Sequence, residues 1–522
     1  MNRLALFIVA LSGFVSLSYE ILWFRVYAFL TGGTAASFGV VLSAFLLGIA
    51  VGSFAARRFC KDASATGQRA SLQIPAILMV LASLGGYLLV PLVAWTVQHT
   101  NFAITLIGVA LVAGTFGAIL PLIAHFCIPP DERAGERLSH LYLANIVGSA
   151  AGSLVTGFVL LDHMPLAGAC VWMAVTGLLL ASLLFWIAGT SPQRRGLTVG
   201  LCLLLAGGAM ADANTRYDSL YEKLLYKKNY SSDKRFAHTV ETRSGVINVT
   251  EAGQVYGGGV YDGVFSTSLV PDRNLAIRPY ALAGIHPAPR DVLMIGLSSG
   301  SWAQIIAHNP DVETLTVIEI NPGYLELLER YPEIQSLQSN PKVTLVMDDG
   351  RRWITANPDR HFDAVIMNTT WHWRGHITNL LSSEFFERVR AQLKPGGVFG
   401  YNATGSEAAQ LTGCSVFAHG LRVVNFMYVS DTPVVIDKAR WRERLLAYEI
   451  DGEPVFDLDH PIDAARLEEV LEVWDSGRKD SKQDWSRTCT QVRNLFSDRR
   501  VVTDDNMETE FYRPWWMVYG GP

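Results

Sequence analysis

The sequence predicts an α-helical transmembrane bundle of six to seven spans, followed by an α/β Rossmann-like domain with a small β-hairpin domain in front of it. Residues 1–211 are nearly continuous apolar segments, whereas the remainder has an ordinary globular composition. In the second half, short apolar runs alternate with glycine turns and helical stretches, which is typical of a parallel sheet covered by helices. We therefore predict a polytopic transmembrane domain over 1–211, a linker and β-hairpin domain over 212–285, and a Rossmann-like domain with a C-terminal extension over 286–522.

Composition excludes several classes of protein. Half of the 522 residues are hydrophobic and only 17% are charged, which is too apolar for an ordinary soluble enzyme. The formal net charge of -5 gives no indication of nucleic-acid binding. The cysteines show no paired spacing, so we expect neither a disulfide framework nor a metal site. They are Cys60, Cys127, Cys170, Cys202, Cys414 and Cys489.

Six segments of the first half are long and apolar enough to cross a bilayer, which takes about 20 residues. A seventh segment, residues 196–210, is uncharged but short. The first segment is too long for a cleavable signal peptide, and more spans follow it. Small-residue pairs at Gly48/Gly52 and Gly148/Gly152 predict close packing between helices. The six predicted spans cover residues 4–27, 35–56, 73–97, 103–126, 141–161 and 166–189.

The loops between the spans differ in charge from one side of the membrane to the other. Loops 31–34, 98–102 and 162–165 contain no lysine or arginine. The positive-inside rule therefore places the N-terminus in the cytoplasm. We expect the membrane to be a bacterial-type inner membrane. If the seventh segment spans, the second half lies outside, and if it only dips into the bilayer, the second half is cytoplasmic. The basic residues of the opposite loops are Arg57, Arg58, Lys61, Arg69, Arg133, Arg137, Arg194 and Arg195.

The second half is organised around a glycine turn. The apolar run Val292 to Ile295 ends in glycines at 296 and 300, a helical stretch follows, and a second apolar run ends at Glu319. In nucleoside-binding α/β folds such glycines let the backbone approach the ligand, and an acidic residue about 20 positions later accepts the ribose hydroxyls. Gly296, Gly300 and Glu319 are therefore candidate nucleoside-binding residues.

Polar residues also follow two later apolar runs. Residues 343–347 end in Asp348 and Asp349, and residues 362–367 end in Asn368, with Trp371 close behind. Ligands in such sheets bind outside the carboxyl ends of the strands. Each residue has a structural alternative, since Glu319 could cap a strand, Asp349 could form a turn, and Trp371 could be a packing aromatic rather than a cation–π face for a sulfonium. The complete predicted site comprises Gly296, Ser298, Gly300, Glu319, Asp348, Asp349 and Asp262 for the nucleoside, and Asn368, Ser299 and Trp371 for the reaction.

The second half resembles the spermidine synthase (polyamine aminopropyltransferase) family, and the whole chain looks like the membrane-integral, multi-spanning branch of that family. The resemblance covers roughly residues 235–435, and membrane segments such as Ser18 to Arg25 are similar as well. It implies a spermidine synthase/methyltransferase-type Rossmann-like fold. The motifs are Tyr261-Asp-Gly263, His286-Pro-Ala-Pro-Arg-Asp-Val-Leu-Met-Ile-Gly296, Ile318-Glu-Ile-Asn321, Asp349-Gly350 and Phe362-Asp-Ala-Val-Ile366.

The resemblance implies a reaction. In that family an amine attacks the carbon next to the sulfonium of decarboxylated S-adenosylmethionine, and methylthioadenosine leaves. Glu319 would hold the ribose and Asp349 the adenine amino group. The implied partners are the lipid bilayer and a small nucleoside substrate, with no metal, no further cofactor and no nucleic acid, while a homo-oligomer is left open. Because sulfonium nucleosides are cytoplasmic metabolites, they favour a cytoplasmic second half, although the sequence leaves the side unresolved.

The sequence departs from the family at the reactive positions. Ser299 stands where an aspartate binds the aminopropyl ammonium, Asn368 replaces the aspartate that takes the proton, and Trp371 replaces one that binds the acceptor. A polyamine is cationic and must lose a proton before it attacks, and an amide cannot act as that base. Our hypothesis is therefore a lyase or cyclase acting on intact S-adenosylmethionine, whose own carboxylate attacks the γ-carbon and closes homoserine lactone.

Two alternatives stay open at this point. The first is ordinary aminopropyl transfer, as in spermidine synthase, with acceptor contacts supplied by other residues such as Tyr256 or Asp262. The second belongs to a different class: a transporter or sensor whose second half binds a nucleoside without chemistry. A requirement for an amine would favour the first alternative, and binding of methylthioadenosine without turnover would favour the second.

Overall fold

A computed structural model describes residues 3–60, 72–189, 191–369, 371–472, 479–480, 483–484 and 486–511. The chain divides into two compact units. The first contains the residues up to Arg235 together with Glu241–Gly245, and the second contains Phe236–Val240 and the chain from Val246 onward. Most of the β-hairpin sheet thus falls in the same unit as the Rossmann-like sheet, apart from the turn region Glu241–Gly245, while the domain boundaries at 211 and 285 stay predictions.

The first unit contains helices that could span a membrane. Within the described ranges, seven helices are long and apolar enough to do so, and the six predicted spans are confirmed as helices. α5 continues through a π-helical turn, Thr156–Leu160, to Leu161–His163, and a short helix, α8, covers Leu220–Tyr226. The long helices are α1 Arg3–Leu30, α2 Ala35–Ala56, α3 Gln73–His99, α4 Thr105–Cys127, α5 Ala134–Val155, α6 Leu166–Ala188 and α7 Pro192–Arg216.

Helix α7, Pro192–Arg216, is longer than the 15-residue apolar stretch predicted for it, residues 196–210. The helix continues at both ends into polar residues, which an apolar pattern does not include. The Ser191 side chain accepts a hydrogen bond from the Arg194 backbone, and Pro192 occupies the first turn, which is a favourable helix start. The other end runs on to Arg216, which pairs with Asp212 one turn earlier. With 25 residues, α7 has the length of a span.

The predicted close packing at the glycine pairs is confirmed. A Cβ atom at Gly48 or Gly52 would collide with the backbone of α4, and one at Gly148 or Gly152 would collide with the backbone of α1. The absence of a side chain therefore lets these helices approach until their backbones touch, as small-residue pairs do in membrane bundles.

Glu241, in the first unit, lies at the centre of a polar cluster near the end of α1. Its Oε2 atom accepts hydrogen bonds from the Tyr221 hydroxyl at 2.7 Å and from the Leu166 backbone N–H at 3.0 Å. The buried Arg25 guanidinium lies 3.8 Å from the same oxygen and donates to the Gly245 carbonyl at 3.3 Å. Arg25 is therefore neutralised by a carboxylate rather than left alone at the end of its span.

The adjoining turn contacts the last helical turn that continues α5, just before the link to α6. The Arg243 backbone N–H donates to Asp162 Oδ1 at 2.9 Å, and the Arg243 guanidinium lies 3.4 Å from Asp162 Oδ2. On α8, the ring of Tyr221 lies 4.9 Å from that of Phe29 near the end of α1. Two residues that follow α7, Tyr221 and Arg243, thus contact the ends of α1 and α5. These are ends that adjoin loops without lysine or arginine.

The second unit begins with a four-stranded sheet in the order β1-β2-β3-β4. The hairpins predicted between His238 and Phe265 are confirmed. A register shift occurs between Val255 and Tyr256 in the pairing of β3 with β4. The strands are β1 Phe236–Thr242, β2 Gly245–Thr250, β3 Gln254–Gly257 and β4 Val260–Val264.

An eight-stranded sheet forms the centre of the second unit, in the order β16-β10-β11-β9-β8-β5-β6-β7. The five strands predicted from the apolar runs, β5 to β9, are confirmed, and they pair in parallel. Two small hairpins lie outside the sheet, β12 Glu449–Ile450 with β13 Glu453–Pro454, and β14 Lys479–Asp480 with β15 Gln483–Asp484. The strands of the large sheet are β5 Asp291–Ile295, β6 Thr314–Glu319, β7 Val343–Met347, β8 Phe362–Met367, β9 Leu393–Asn402, β10 His419–Val423, β11 Phe426–Ser430 and β16 Ser486–Thr488.

This strand order has a topological switch point, because β6 follows β5 on one side while β8 pairs with β5 on the other. Successive β5 residues belong to different cores, Val292 and Met294 to one and Leu293 and Ile295 to the other, so both faces of the sheet are covered by packed side chains. The helices of the second unit, most of which cover this sheet, include Ile277–Tyr280, Leu282–Ile285, Ser301–Ala307, Gly323–Arg330, Pro332–Gln335, Gly350–Ala356, Thr378–Leu381, Ser383–Ala391, Glu407–Val416, Lys438–Ala447, Pro461–Glu472 and Cys489–Leu495.

The expectation of unpaired cysteines is wrong for Cys414 and Cys489, which form a disulfide. The two residues are 75 positions apart in the sequence, so no local spacing could indicate the pair. They meet because the helices Glu407–Val416 and Cys489–Leu495 pack together beside β10. The other four cysteines are free.

Candidate functional site

A cavity of about 230 Å³ lies where the carboxyl ends of β5 and β8 meet, which is the switch point where such sheets bind ligands. Its walls come from β4, from the segment that follows the hairpin sheet, and from the chain after β5, β8 and β9. The lining residues are Tyr261, Asp262, Gly263, Arg273, Asn274, Leu275, Arg278, Ser298, Ser299, Trp302, Asn368, Thr369, Trp371, Asn402, Thr404 and Asn425.

The turn after β5 is fixed by its backbone. Gly296 has φ +88°, and a Cβ atom there would collide with the carbonyl oxygen of Asn368. The Gly296 N–H donates to the Ile318 carbonyl at 2.8 Å. Ser298 also has a positive φ, +55°, which is uncommon for a residue with a side chain, and its hydroxyl donates to the Asp262 carbonyl. Gly296 thus lets the chains after β5 and β8 approach each other.

Ser299 lies buried in the wall of the cavity and is uncharged. Its hydroxyl donates to Ser301 Oγ at 3.2 Å, and the Ser301 hydroxyl donates to the Val264 carbonyl at 2.9 Å. This chain of hydroxyl groups connects the glycine turn to β4. The position that the resemblance assigns to an ammonium-binding aspartate therefore provides a neutral hydroxyl.

Asn368 and Trp371 line the cavity as predicted from their position after β8. The Asn368 backbone N–H donates to the Ile295 carbonyl at 2.9 Å, which holds the residue beside the glycine turn. The Trp371 indole N–H donates to the Tyr261 carbonyl at 3.4 Å, and its ring centre lies 6.3 Å from that of Trp373. This wall offers an amide and an indole to a ligand, but no acid.

Asp262 is the one carboxylate among the residues that line this cavity. The Tyr324 hydroxyl donates to it, and the Arg374 guanidinium lies close enough to favour its charged form. Burial outweighs both effects and raises the pKa of Asp262 to about 6. A carboxylate whose pKa lies near neutrality in a cavity is a candidate proton acceptor.

Glu319 ends β6 but does not line the cavity. Its Oε2 atom accepts a hydrogen bond from the Leu297 N–H and its Oε1 atom one from the Asn321 N–H, both at 2.8 Å. Burial raises the pKa of Glu319 to about 7, with a smaller contribution from the negative charge of Asp262. The side chain thus holds the glycine turn, and its role as the ribose acceptor stays a prediction.

The remaining predicted nucleoside-binding residues also make local contacts. Asp349 caps the helix Gly350–Ala356 by accepting from the Arg352 N–H at 2.8 Å, and Asp348 pairs with the Arg352 side chain. Gly300 has φ +79° and precedes the helix Ser301–Ala307. None of the three lines the cavity, so their contact with a nucleoside also stays a prediction.

Several cavity residues were missed by sequence reasoning, chiefly Asn274, Arg278 and Asn425. Arg278 is buried against the ring of Trp302, with its guanidinium carbon 4.5 Å from the ring centre. No local pattern distinguishes such an arginine from a surface one, because its burial depends on contacts distant in the sequence.

The sequence of this chain is similar to those of known proteins. Residues 281–418 match the spermine/spermidine synthase domain. Polyamine aminopropyltransferase 2 of Streptomyces coelicolor is 27% identical over 414 residues, covering 75% of this chain and 71% of the relative. Polyamine aminopropyltransferase of Mycobacterium tuberculosis is 24% identical over 410 residues, covering 75% of each protein. The aligned regions therefore extend well beyond the matched domain.

Solved structures show a weaker likeness. Spermidine synthase from Thermotoga maritima has a TM-score of 0.34 and 16% identity, covering 41% of this chain and 80% of that protein. A spermidine synthase in complex with the transition-state analogue AdoDATO has a TM-score of 0.35 and 16% identity, covering 46% and 89%.

Proposed function

We propose that the second half of this chain, which is similar to spermidine synthases and follows helices long and apolar enough to span a membrane, is an enzyme that binds a sulfonium nucleoside of the S-adenosylmethionine class. It breaks the bond between the sulfur and the γ-carbon and releases methylthioadenosine. The observation that supports this most is the cavity at the switch point between β5 and β8. The names of the relatives, polyamine aminopropyltransferases, support displacement at that carbon.

The first form of the reaction is transfer of an aminopropyl group to an amine. The amine nitrogen bonds to the γ-carbon, the electron pair of the C–S bond stays on sulfur, and the amine loses a proton. Asn368 cannot take that proton, but Asp262 lines the same cavity, and its pKa of about 6 suits a base that acts near neutral pH. The names of the relatives favour this form.

The second form is the internal displacement predicted from the sequence, in which a carboxylate of the substrate attacks its own γ-carbon. It is supported by the neutral character of Ser299, Asn368 and Trp371, which all line the cavity. Three positions without a carboxylate provide no binding for a polycationic acceptor, whereas an internal nucleophile needs only orientation.

The two forms differ in their need for an amine. Detergent-solubilised full-length protein would be incubated with S-adenosylmethionine alone, with decarboxylated S-adenosylmethionine alone, and with the decarboxylated form plus putrescine. Methylthioadenosine is measured by mass spectrometry. Transfer predicts product only in the third mixture, and internal displacement predicts product in the first. No methylthioadenosine in any mixture, from protein with a normal unfolding transition, would contradict the proposed function.

Asp262→Asn tests the proton acceptor within the transfer form. We expect the rate of methylthioadenosine release to fall by about 10²–10⁴-fold, the usual contribution of a general base. Glu313→Gln serves as a matched control, since Glu313 forms an exposed ion pair with Arg290 at 3.3 Å. An unchanged rate in Asp262→Asn would exclude Asp262 as the base.

We also propose that the chain beyond Arg216 lies on the outer side of the membrane. Three features support this side: the 25-residue length of α7, the contact of Arg243 with Asp162 in a loop without basic residues, and the disulfide between Cys414 and Cys489. Disulfides persist in oxidising compartments. The cytoplasmic pool of sulfonium nucleosides favours the opposite side, so the sidedness also decides where the substrate is to be sought.

Alkaline phosphatase fusions after Pro192 and after Asp218 test the sidedness in a bacterial host. The enzyme is active only outside the cytoplasm, so we expect activity from the second fusion and none from the first. Two inactive fusions, each present at normal abundance in the membrane, would place the second half in the cytoplasm.

A further inference from the structure

Arg278 is a buried cation in the wall of the cavity. It is 8% exposed, and in the described part of the chain no carboxylate oxygen forms an ion pair with it within 4.0 Å. Its guanidinium donates to three neutral acceptors: the Leu275 carbonyl at 3.1 Å, Asn425 Oδ1 at 2.9 Å and the Asn274 carbonyl at 3.3 Å. Buried charges are normally paired with an opposite charge. Asp272 is near enough to favour the charged form of Arg278, but its oxygens accept from the N–H groups of Asn274, Ala276 and Ile277.

Burial also lowers the pKa of Arg278, to about 10. The guanidinium therefore keeps its charge at neutral pH, even though the surrounding protein disfavours the charged form. Guanidinium groups bind carboxylates through two parallel hydrogen bonds. Arginine has five N–H donors, and three of those of Arg278 are used by the neutral acceptors, which leaves two for a ligand.

A second donor without an acceptor lies beside this arginine. Asn274 Oδ1 accepts a hydrogen bond from the Val264 N–H at 3.3 Å, which identifies the other terminal atom as the amide nitrogen Nδ2. That nitrogen is buried and has no hydrogen-bond partner among the described residues, although buried polar atoms almost always have one. Thr369 Oγ1, on the chain after β8, is likewise buried without a partner in the described ranges. Two residues that line the cavity thus keep a buried polar atom that no described group satisfies.

These groups converge near the glycine turn. A Cβ atom at Gly263 would lie 3.0 Å from Ser299 Oγ and 3.3 Å from Asn274 Oδ1, so both side chains border the same gap. The cavity lining includes Arg273 and Arg278 against one carboxylate, Asp262, which is already bonded to Tyr324. The local charge therefore favours an anion and disfavours a polycation.

We propose that Arg278 and Asn274 form a carboxylate-binding subsite of this cavity, so that one substrate of the reaction carries a carboxylate. The inference rests on the proposed function and specifies its substrate class. The carboxylate has two sources that share this chemistry: the three-carbon arm of intact S-adenosylmethionine, or an amino-acid acceptor that attacks the decarboxylated nucleoside.

The first experiment compares ligands that differ only by a carboxylate. Dissociation constants of S-adenosylmethionine and its decarboxylated form are measured on the full-length protein by calorimetry, with methylthioadenosine as a ligand that lacks the arm. Ornithine and putrescine, a second pair that differs by a carboxylate, are then compared as acceptors for the decarboxylated form. A preference of about tenfold or more for the carboxylate in either pair supports the subsite and identifies its source.

Two isosteric variants test the residues. Asn274→Asp keeps the acceptor for the Val264 N–H but replaces the unpartnered donor with a carboxylate oxygen. Asn425→Asp places a carboxylate against the Arg278 guanidinium and so neutralises the site. In both variants we expect the dissociation constant of the carboxylate-bearing ligand to rise by about tenfold or more, which abolishes the preference for it. The dissociation constant of methylthioadenosine should change by less than about twofold.

Asn340→Asp is the matched control, because it adds the same charge at a position where Oδ1 accepts only from the Lys342 N–H in a loop before β7. We expect it to leave all dissociation constants unchanged. Arg278→Gln should have the same effect as the two isosteric variants, and Asn425→Asp keeps the test valid if Arg278→Gln fails to fold, because it retains the buried arginine.

The two failures are distinguishable. If methylthioadenosine binds but neither pair shows a preference for the carboxylate, or if the variants weaken both members of a pair equally, the subsite is wrong while the proposed function stands. If methylthioadenosine and both sulfonium nucleosides fail to bind to folded protein, the proposed function is wrong, and the subsite falls with it.

Discussion

The two ends of the candidate site differ in how their polar groups are used. At the end of β6, Glu319 accepts hydrogen bonds from the backbone N–H groups of Leu297 and Asn321. At the end of β7, Asp348 and Asp349 accept from Arg352. Around the cavity beside β5 and β8, Asn274 and Thr369 each have a buried polar atom that finds no partner within the described part of the chain. The acidic end thus shapes the turn, whereas the cavity retains unused binding capacity. This difference shows that acidic residues at a strand end, although typical of a nucleoside site, can also stabilise the local backbone.

Among single substitutions, the largest expected effect on stability comes from removing the charge at the acidic end. Glu319→Gln leaves one amide oxygen for two backbone N–H groups, Leu297 and Asn321, which two carboxylate oxygens now satisfy. A buried N–H without a partner costs about 1–3 kcal/mol. We expect unfolding free energy to fall by that amount and methylthioadenosine binding to weaken by about tenfold or more, measured by denaturant unfolding and calorimetry.

Glu313→Gln provides the comparison for that variant, because the Glu313 carboxylate is exposed and such pairs contribute about 0–1 kcal/mol. Loss of stability in Glu319→Gln with unchanged nucleoside affinity would show that Glu319 has a structural role only. The contrast between the two ends of the site would then become sharper.

The second prediction concerns pH. Burial raises the pKa of Asp262 to about 6 and that of Glu319 to about 7, from ordinary values of 3.8 and 4.5. The folded protein therefore binds more protons than the unfolded chain between about pH 4 and 7, so stability falls as pH rises through this window. Each group contributes a slope of at most about 1.4 kcal/mol per pH unit.

Chemical denaturation at several pH values measures this slope. Asp262→Asn should remove the part between about pH 4 and 6, and Glu319→Gln the part between about pH 4.5 and 7, because the amides do not titrate. If stability instead rose with pH across the whole window, the burial of these two carboxylates would not be the dominant effect.

The smallest expected effect separates capping from ligand binding at Asp349. Its side chain caps the helix Gly350–Ala356, and asparagine is an equally good cap, whereas alanine costs about 0.5–2 kcal/mol. We therefore expect Asp349→Asn to keep the unfolding free energy within about 0.5 kcal/mol and Asp349→Ala to lower it by about 1 kcal/mol.

Nucleoside affinity then gives the second measurement on the same variants. If Asp349→Asn retains stability but weakens methylthioadenosine binding, the carboxylate contacts the ligand and the two ends of the site work together. If affinity is also retained, Asp349 acts on the helix alone, and the adenine role implied by the resemblance is lost.

Much of this architecture could be predicted from the sequence, because local patterns determine it. Apolar runs that end in glycine, an acidic residue or asparagine predicted β5 to β8, and long apolar stretches predicted the membrane helices. The placement of Ser298, Ser299, Asn368 and Trp371 around one cavity followed from their positions after neighbouring strands. These predictions depend only on residues close together in the chain.

Features that depend on distant contacts could not be predicted in this way. Arg278 becomes buried because Trp302 and Asn425 surround it, and Asn274 loses its partner because of the fold around it. The antiparallel strands β10, β11 and β16 have no signal that separates them from other hairpins. Likewise, α7 extends beyond its apolar stretch because a serine cap and a proline start it.

The bond between Cys414 and Cys489 has a practical consequence for handling this protein. Cys489 directly follows β16, which covers the outer edge of β10 through three residue pairs. Cleaving the bond would open a loop of about 75 residues and lower the free energy of unfolding by about 4 kcal/mol, because the unfolded chain would gain entropy. The short strand β16 would then detach more easily. The uncovered edge could then pair with another molecule. Thiol reductants added during purification should therefore promote aggregation, and a buffer without reductant is the safer choice.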